Sequence, residues 1–145
     1  MKLSPILDGF IDYLNGSPVS QQTGGAKFFR YDSATVFADV DAQLVPSVKG
    51  FAYVVQVDSA TNDNPGNVNL VPVTISATVF CIHSGSETPS FNPLEIAEIL
   101  TDLNGGSFTA STGEEILVLL SGNFLQLLSI EPFPIHAVTF ELKRL

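Results

Sequence analysis

The sequence LVPVTISATVFCI, residues 70–82, decides the fold because its side chains alternate over the length of a long strand. Apolar residues occupy the odd positions from Val71 to Cys81, and threonine or serine occupies most of the even positions. Successive side chains of a strand point to opposite faces of its sheet, so this pattern predicts a half-buried strand. Pro72 is expected near the start of the strand or on an edge of the sheet, because proline has no N–H to donate.

A second apolar run extends from Val48 to Val57, after Pro46, and alternates in the same way. The sequence DSATNDNPGN, residues 58–67, separates the two runs, and its residue types favour turns. Together they predict a long hairpin with a polar tip. The tip is either a tolerated surface loop or an arm that reaches a neighbouring molecule. On the second interpretation, its candidate contacts with a subunit or partner are Ser59, Thr61, Asn62, Asp63, Asn64 and Asn67.

Two amphipathic helices are predicted from apolar residues that recur every three or four positions. The first covers residues 3–15, and Ser4 and Pro5 suit its N-terminus. The second covers residues 93–103, with Asn92 as its cap, and it ends at an Asn-Gly-Gly sequence. These helices supply the α component of the fold.

The segments between the first helix and the hairpin give weaker patterns. Residues 16–26 are polar and rich in glycine, which predicts a loop. Residues 26–31 predict a short strand. The apolar residues of positions 34–44 fit neither the helical nor the strand period.

The C-terminal part of the chain predicts three short strands. Residues 116–120 and 124–130 are apolar and flank Ser121-Gly122-Asn123, a combination typical of a tight hairpin. Residues 135–142 form the last strand. The order of elements predicts one α+β domain over residues 1–145. We expect a mostly antiparallel sheet of five to six strands with two helices packed on one face, which leaves the second face for other subunits.

The composition limits the classes of function. A hydrophobic fraction of 45% excludes a disordered polyelectrolyte, and a charged fraction of 14% is low enough to suit permanent subunit contacts. Fifteen acidic residues against six basic ones give a net charge of −9, which argues against a nucleic-acid-binding surface. We expect no signal peptide at the N-terminus and no membrane span, because no apolar run approaches about eighteen residues.

No catalytic, metal-binding or cofactor-binding motif is evident, so the chain is not expected to be an enzyme. Cys81 and His83 share a strand face only if the long strand continues to His83, and no further nearby ligand completes a metal site. Cys81 is expected to be a buried small hydrophobic residue. A degenerate or cryptic enzyme that uses His83 or His136 is a third class of function.

The whole-chain order of elements resembles the tail terminator or tail-completion proteins of long-tailed bacteriophages, including Mu-like tails. The resemblance rests on the N-terminal helix, the sequence LVPSV at residues 44–48 before an apolar strand, the asparagine-rich hairpin, the helix that ends in Gly-Gly, and the Phe-x-Leu strand at residues 140–142. The chain lacks the tryptophan that such proteins sometimes carry before the last hairpin.

The resemblance implies a structural virion protein that is assembled in the host cytoplasm and located in the tail. Such a protein forms a ring, expected to be a hexamer, that caps the tail tube and presents a head-joining surface to the connector. A negative lumen would let DNA slide through such a ring. The alternative function is a small monomeric α+β domain that binds a ligand or a protein without catalysis.

Overall fold

A computed structural model describes residues 3–23, 25–45, 50–62, 73–83, 93–130 and 133–144. The helices in these ranges are α1 (Ser4–Asn15), α2 (Pro18–Gln22), α3 (Val36–Leu44) and α4 (Pro93–Thr101). The strands are β1 (Phe28–Arg30), β2 (Phe51–Asn62), β3 (Val73–His83), β4 (Ser107–Thr109), β5 (Glu115–Ile130) and β6 (Phe133–Arg144). None of the helices in these ranges is long and apolar enough to cross a membrane.

The six strands form one sheet in the order β1-β2-β3-β6-β5-β4. The β1–β2 pairing is parallel, and the other four pairings are antiparallel. The α+β class is therefore confirmed, but the sheet is mixed rather than mostly antiparallel. The parallel pair arises because the chain returns from β1 to β2 through α3, a connection long enough to reverse direction twice.

The strand predicted from residues 70–82 is present as β3, in the interior of the sheet between β2 and β6. Its alternation is confirmed: Val79 and Cys81 are buried on one face, and Thr74 and Ser76 lie on the other. The hairpin of β2 with β3 is also confirmed, by antiparallel pairing from Phe51 opposite His83 onward. β3 is an interior strand of the described sheet, and the prediction for Pro72 falls outside the described residues.

Three helices pack on one side of the sheet, which we call the first face. α1, α2 and α4 bury apolar side chains there against the odd positions of β2 and β3. Phe10 of α1 is fully buried, with its ring 6.0 Å from that of Phe108 and 5.8 Å from that of Phe140. These ring separations are favourable for aromatic pairs and add to the burial of a large side chain.

The loop predicted over residues 16–26 is wrong in part, because α2 forms within it. Pro18 occupies the first turn of α2, where a missing N–H costs nothing, and Val19 is buried in the core. After the helix, Thr23 accepts a hydrogen bond from the buried Tyr53 hydroxyl at 3.2 Å. Tyr53 also stacks on Phe28, with 4.0 Å between the ring centroids. Tertiary packing therefore orders a segment that looks like a loop in sequence.

The ambiguous segment 34–44 contains α3, which lies on the opposite side of the sheet, the second face. Val36, Val40 and Leu44 form a narrow buried stripe against Ala52 and Val54 of β2. The prediction of two helices on one face is therefore wrong, because the described residues contain four helices and α3 covers part of the face expected to be open. A stripe only one residue wide gives a weak helical period in sequence.

The hairpin predicted at Ser121-Gly122-Asn123 is wrong, because β5 continues through this tripeptide. Leu120 lies opposite Phe140 and Leu125 opposite Val138, so residues 121–124 face the single residue 139 of β6. This irregularity is a bulge with three extra residues in β5. The true hairpin joins β5 to β6, where Ile130 lies opposite Phe133.

The buried aromatic cluster gives a test of core stability. We expect Phe10→Ala to lower the free energy of unfolding by about 3–5 kcal/mol, because it leaves a cavity among Phe108 and Phe140. Phe37→Ala is the matched control: Phe37 is 75% exposed, and its loss should change the free energy by less than about 0.5 kcal/mol. Urea unfolding of both variants measures the difference, and equal effects would contradict the core assignment.

The bulge gives a second test. Deletion of residues 121–123 removes the three extra residues, so the pairs Leu120–Phe140 and Leu125–Val138 can both persist in a regular ladder. We expect this variant to fold. Deletion of residues 121–124 should destabilise the protein more, because Leu125 would then follow Leu120 directly, and adjacent residues of a strand cannot both keep their side chains on the first face. Thermal unfolding followed by circular dichroism compares the two deletions.

Candidate functional site: the open edges of the sheet

Three of the predicted contact residues lie at the far end of β2. Ser59, Thr61 and Asn62 are exposed, and Ser59 and Thr61 pair with Ser76 and Thr74 of β3. They belong to a strand, not to a loop tip. The other three predicted contacts, Asp63, Asn64 and Asn67, lie outside the described residues, so the role of the tip as an arm stays a prediction.

A bulge at Asp58 fixes the geometry of this end of β2. The pairing with β3 shifts between Val57 and Ser59. The Asp58 carboxylate accepts a hydrogen bond from the Thr78 hydroxyl, and the Thr78 and Thr139 hydroxyl oxygens lie 3.1 Å apart. These groups lie on the second face beyond α3. That part of the second face is therefore covered by hydroxyl groups, unlike the apolar part under α3.

The outer side of β5 is paired only in its first half. β4 pairs with β5 as far as Leu117. Val118 then exchanges two backbone hydrogen bonds of 2.8 Å with Gly105 and Gly106. The Leu120 N–H donates to the Asn104 side chain at 2.9 Å. From residue 122 to residue 130, no strand among the described ranges lies along this side, and we call this segment the β5 edge.

The backbone groups of the β5 edge that point outward follow from the register. Val118 lies opposite Leu142 of β6 and has its N–H and C=O directed away from β6. Along β6, every even residue faces a β5 residue whose backbone N–H and C=O point away from β6. This alternation continues past the bulge, where Val138 lies opposite Leu125. The outward backbone groups are therefore those of Leu125, Leu127 and Ser129. The side chain of Leu127 is 59% exposed.

The other side of the sheet also ends in an open strand. β1 pairs with β2 only from Tyr53 to Val55, and the Tyr31 N–H donates to the Val55 carbonyl at 3.0 Å. From residue 56 to residue 61, no strand in the described part of the chain covers β2, and we call this segment the β2 edge. The C=O of Val55 points away from β3, and every second residue of β2 shares this orientation. Past the bulge, the outward backbone groups are therefore those of Val57 and Ala60.

A groove of about 500 Å³ lies beside the start of the β2 edge, on the first face. Its apolar lining comes from Leu3 and Leu7 of the α1 region and from Val55 and Val57 of β2. Arg30 lies at its mouth. A strand added to the β2 edge would run past this groove.

Arg30 holds the polar rim of the groove in place. Its guanidinium donates to Asp32 at 2.9 Å, to Asp8 at 2.6 Å and to the Ser4 hydroxyl at 3.0 Å. The hydrogen bonds from Arg30 lower the pKa of the Asp32 carboxyl. The cation is thus committed to partners within the chain, and the groove interior is left apolar.

A second apolar groove, of about 340 Å³, lies between α3 and the second face. Its lining includes Val40, Val54 and Phe80, with the exposed side chains of Tyr31 and Phe37 at the rim. The sequence gives no sign of it, because the groove depends on where α3 docks.

The two histidines and Cys81 lie near one end of the first face. β3 does continue to His83, so Cys81 and His83 share that face, and His136 lies opposite Cys81. Burial raises the pKa of the Cys81 thiol, which leaves it uncharged and unreactive. Among the residues that the structure describes, no three or more His, Cys, Asp or Glu side chains converge on a metal site. The expected absence of metal and cofactor stays a prediction.

The histidines make stability depend on pH. Burial lowers the pKa of His83 and of His136 below the ordinary value of 6.5, and the charge of His136 adds to the effect at His83. The unfolded chain therefore binds more protons below pH 6.5, and stability falls as the pH decreases through that value. We expect a His83→Gln/His136→Gln variant to lose less stability than the wild type between pH 7.5 and about 5.5 in urea titrations. Parallel losses would contradict this origin.

No family model and no curated protein matches the sequence. Five chains of known structure match the fold. One of them aligns with 100% of this chain and with 96% of its own length, at a TM-score of 0.57 and 13% sequence identity. A likeness at this identity concerns the fold alone. The architecture of β1 to β6 with its helices is thus shared with a solved protein over essentially the full length of both chains.

Proposed function

We propose that the chain is a structural virion protein, a tail terminator that caps the tail tube as a ring and provides the head-joining surface. The observation that carries the proposal is the pair of open edges on opposite sides of one sheet. An exposed strand edge is a template for another chain, and soluble monomers usually cover or charge such edges. Two different edges on one subunit favour head-to-tail association, which closes into a ring when the rotation permits.

The distribution of charge supports assembly through the sheet edge. Residues 116–130 carry no charged side chain, although the chain as a whole has a net charge of −9. Exposed acidic side chains on the helices include Asp8, Asp12, Asp41, Glu95 and Glu98. Copies that repel each other elsewhere meet least repulsion at β5. A negative lumen for DNA follows if one helical layer faces the channel.

The resemblance to tail terminators supplies the identity of the partners, which are further copies of the chain, the tail tube and the connector. The exposed end of the β2–β3 hairpin, with Ser59, Thr61 and Asn62, is the candidate contact with a neighbour. Its polar residues suit the rim of an interface, which is polar and stays accessible to water. The hexamer number and the location in the tail rest on the resemblance alone.

The alternative function is a monomeric domain that binds an apolar ligand or peptide. The groove beside α3 favours it, because the groove is lined by apolar side chains and Phe37 at its rim is 75% exposed. Exposed aromatic groups next to a concave apolar surface are typical of binding sites. This function predicts a monomer and needs neither sheet edge.

Light scattering coupled to size-exclusion chromatography separates the two functions. We expect the purified protein to form a closed oligomer, with a mass near six times that of the 15.5 kDa chain, as its concentration rises. Negative-stain images should show rings. A protein that stays monomeric both alone and on isolated tail tubes would contradict the proposal.

The terminator role is tested in the particle from which the protein comes. Particles assembled without the protein should carry tail tubes of uncontrolled length and no joined heads. Normal tail length and normal head joining in its absence would exclude the role. Expression of the Phe37→Ala variant should restore both properties, because the groove beside α3 is not needed for a ring.

A further inference from the structure

We propose that the ring interface is a β-strand addition, in which the β5 edge of one copy pairs antiparallel with the β2 edge of the next. The inference rests on the proposed ring and names the contact that builds it. Each copy then supplies one edge to each neighbour, and the sheet runs without interruption around the assembly. The β5 edge and the β2 edge are then both covered, which removes these two exposed templates of the single chain.

Strand direction is compatible with this pairing. Three successive antiparallel pairings separate β2 from β5, so the two strands run in opposite directions within one sheet. Copies related by rotation about a ring axis keep their orientation. The β5 strand of one copy is then antiparallel to the β2 strand of its neighbour. Outward backbone groups of Leu125, Leu127 and Ser129 would meet those of Val57 and Ala60.

The side chains fit on the same face. Leu127 lies opposite His136, which lies opposite Cys81, so Leu127 projects on the first face. The groove beside the β2 edge is also on the first face, with Leu3, Leu7 and Val57 in its lining. In a continuous sheet the first faces of neighbouring copies are continuous. Leu127 of one copy can therefore enter the groove of the next, which removes an exposed leucine from water.

The two edges lie at different heights, which sets the tilt of the strands. The register places Leu127 level with Tyr53, whereas the outward groups of the β2 edge are at Val57 and Ala60. Neighbouring copies are thus offset by about four to seven residues, or about 13–23 Å. Four strands per copy, with the spacing to the neighbouring copy included, give a repeat of roughly 19 Å across the sheet. The strands then incline by roughly 35–50° to the ring axis, close to the tilt of closed barrels.

A symmetric pairing of two β5 edges is the main competitor. It would bury Leu127 of one copy against Leu127 of the other. However, it leaves the β2 edge and its groove unoccupied, and it cannot extend beyond a dimer. The head-to-tail pairing occupies both edges. Asp58 is the one acidic residue of the β2 edge, and its bond to Thr78 holds the carboxylate on the second face, away from the groove.

Proline substitutions test the pairing because each removes an outward N–H and leaves the inner ladder intact. Leu127→Pro acts on the β5 edge, and Ala60→Pro acts on the β2 edge; proline is tolerated where the N–H of an edge strand faces solvent. We expect each variant to raise the concentration needed for assembly by at least about 100-fold, as judged by light scattering. Circular dichroism establishes that each variant is folded, and Phe37→Glu serves as a surface control that should still form rings.

Side-chain variants keep the test valid if a proline variant fails to fold. Leu127→Glu places a charge on the β5 edge, and Leu3→Glu places one in the groove. Both should prevent assembly, because an unpaired carboxylate would be buried in an apolar contact.

Mixing the blocked variants identifies the geometry. A β5-blocked copy keeps a working β2 edge, and a β2-blocked copy keeps a working β5 edge, so an equimolar mixture should give heterodimers and nothing larger in native mass spectrometry. Homodimers of Ala60→Pro, with no heterodimers in the mixture, would show symmetric β5 pairing and overturn the inference. Wild-type-like rings from both variants would also overturn it, as would a wild type that is monomeric both at every concentration and on isolated tail tubes.

The proposed ring and the proposed edge pairing can be contradicted independently of each other. The wild-type protein could form open filaments instead of rings. If both edge variants abolish these filaments, the result would support the edge pairing and contradict the closed ring. Rings that neither variant disturbs would support the ring and contradict the edge pairing.

Discussion

Hydrogen bonding along both sides of β3 is the constraint on which the rest of the structure depends. β2 lies on one side and β6 on the other, so the alternating side chains of β3 are the reference for both faces of the sheet. Val79 and Cys81 define the face that α1, α2 and α4 cover. The bulges in β2 and β5 change the local path of their strands, yet the apolar side chains on either side of each bulge stay on the same face.

The confirmed predictions are those in which a pattern is both local and strong. The strands β2 and β3 follow from alternation, and the helices α1 and α4 follow from helical spacing, each within about a dozen residues. The buried stripe of α3 is too narrow to give a clear helical period in sequence. The tripeptide Ser121-Gly122-Asn123 is typical of turns but also suits a bulge, so the sequence alone does not predict that β5 continues through it. The parallel β1–β2 pair depends on contacts distant in sequence, which local patterns do not contain.

The candidate site was harder to predict than the fold. Polarity and turn propensity drew attention to Ser59, Thr61 and Asn62, and the structure places these residues beside an open strand edge. The sequence gives no such signal for the β5 edge, because an apolar strand has the same sequence pattern whether it lies inside a sheet or at its edge. Which strand ends at the margin is decided by the length of β4, which stops pairing at Leu117. Edge status is thus a property of topology and not of composition.

The bulge at residues 121–124 has a consequence for how the chain behaves at high concentration. Amyloid fibres require a flat strand that repeats in register with identical copies above and below it. A bulge bends its strand and increases the local twist, so the apolar run of β5 is a poor template for such stacking. The same irregularity sits at the start of the exposed segment, where it acts as a gatekeeper. The apolar run of β5 is thereby protected from fibrillar stacking at high concentration.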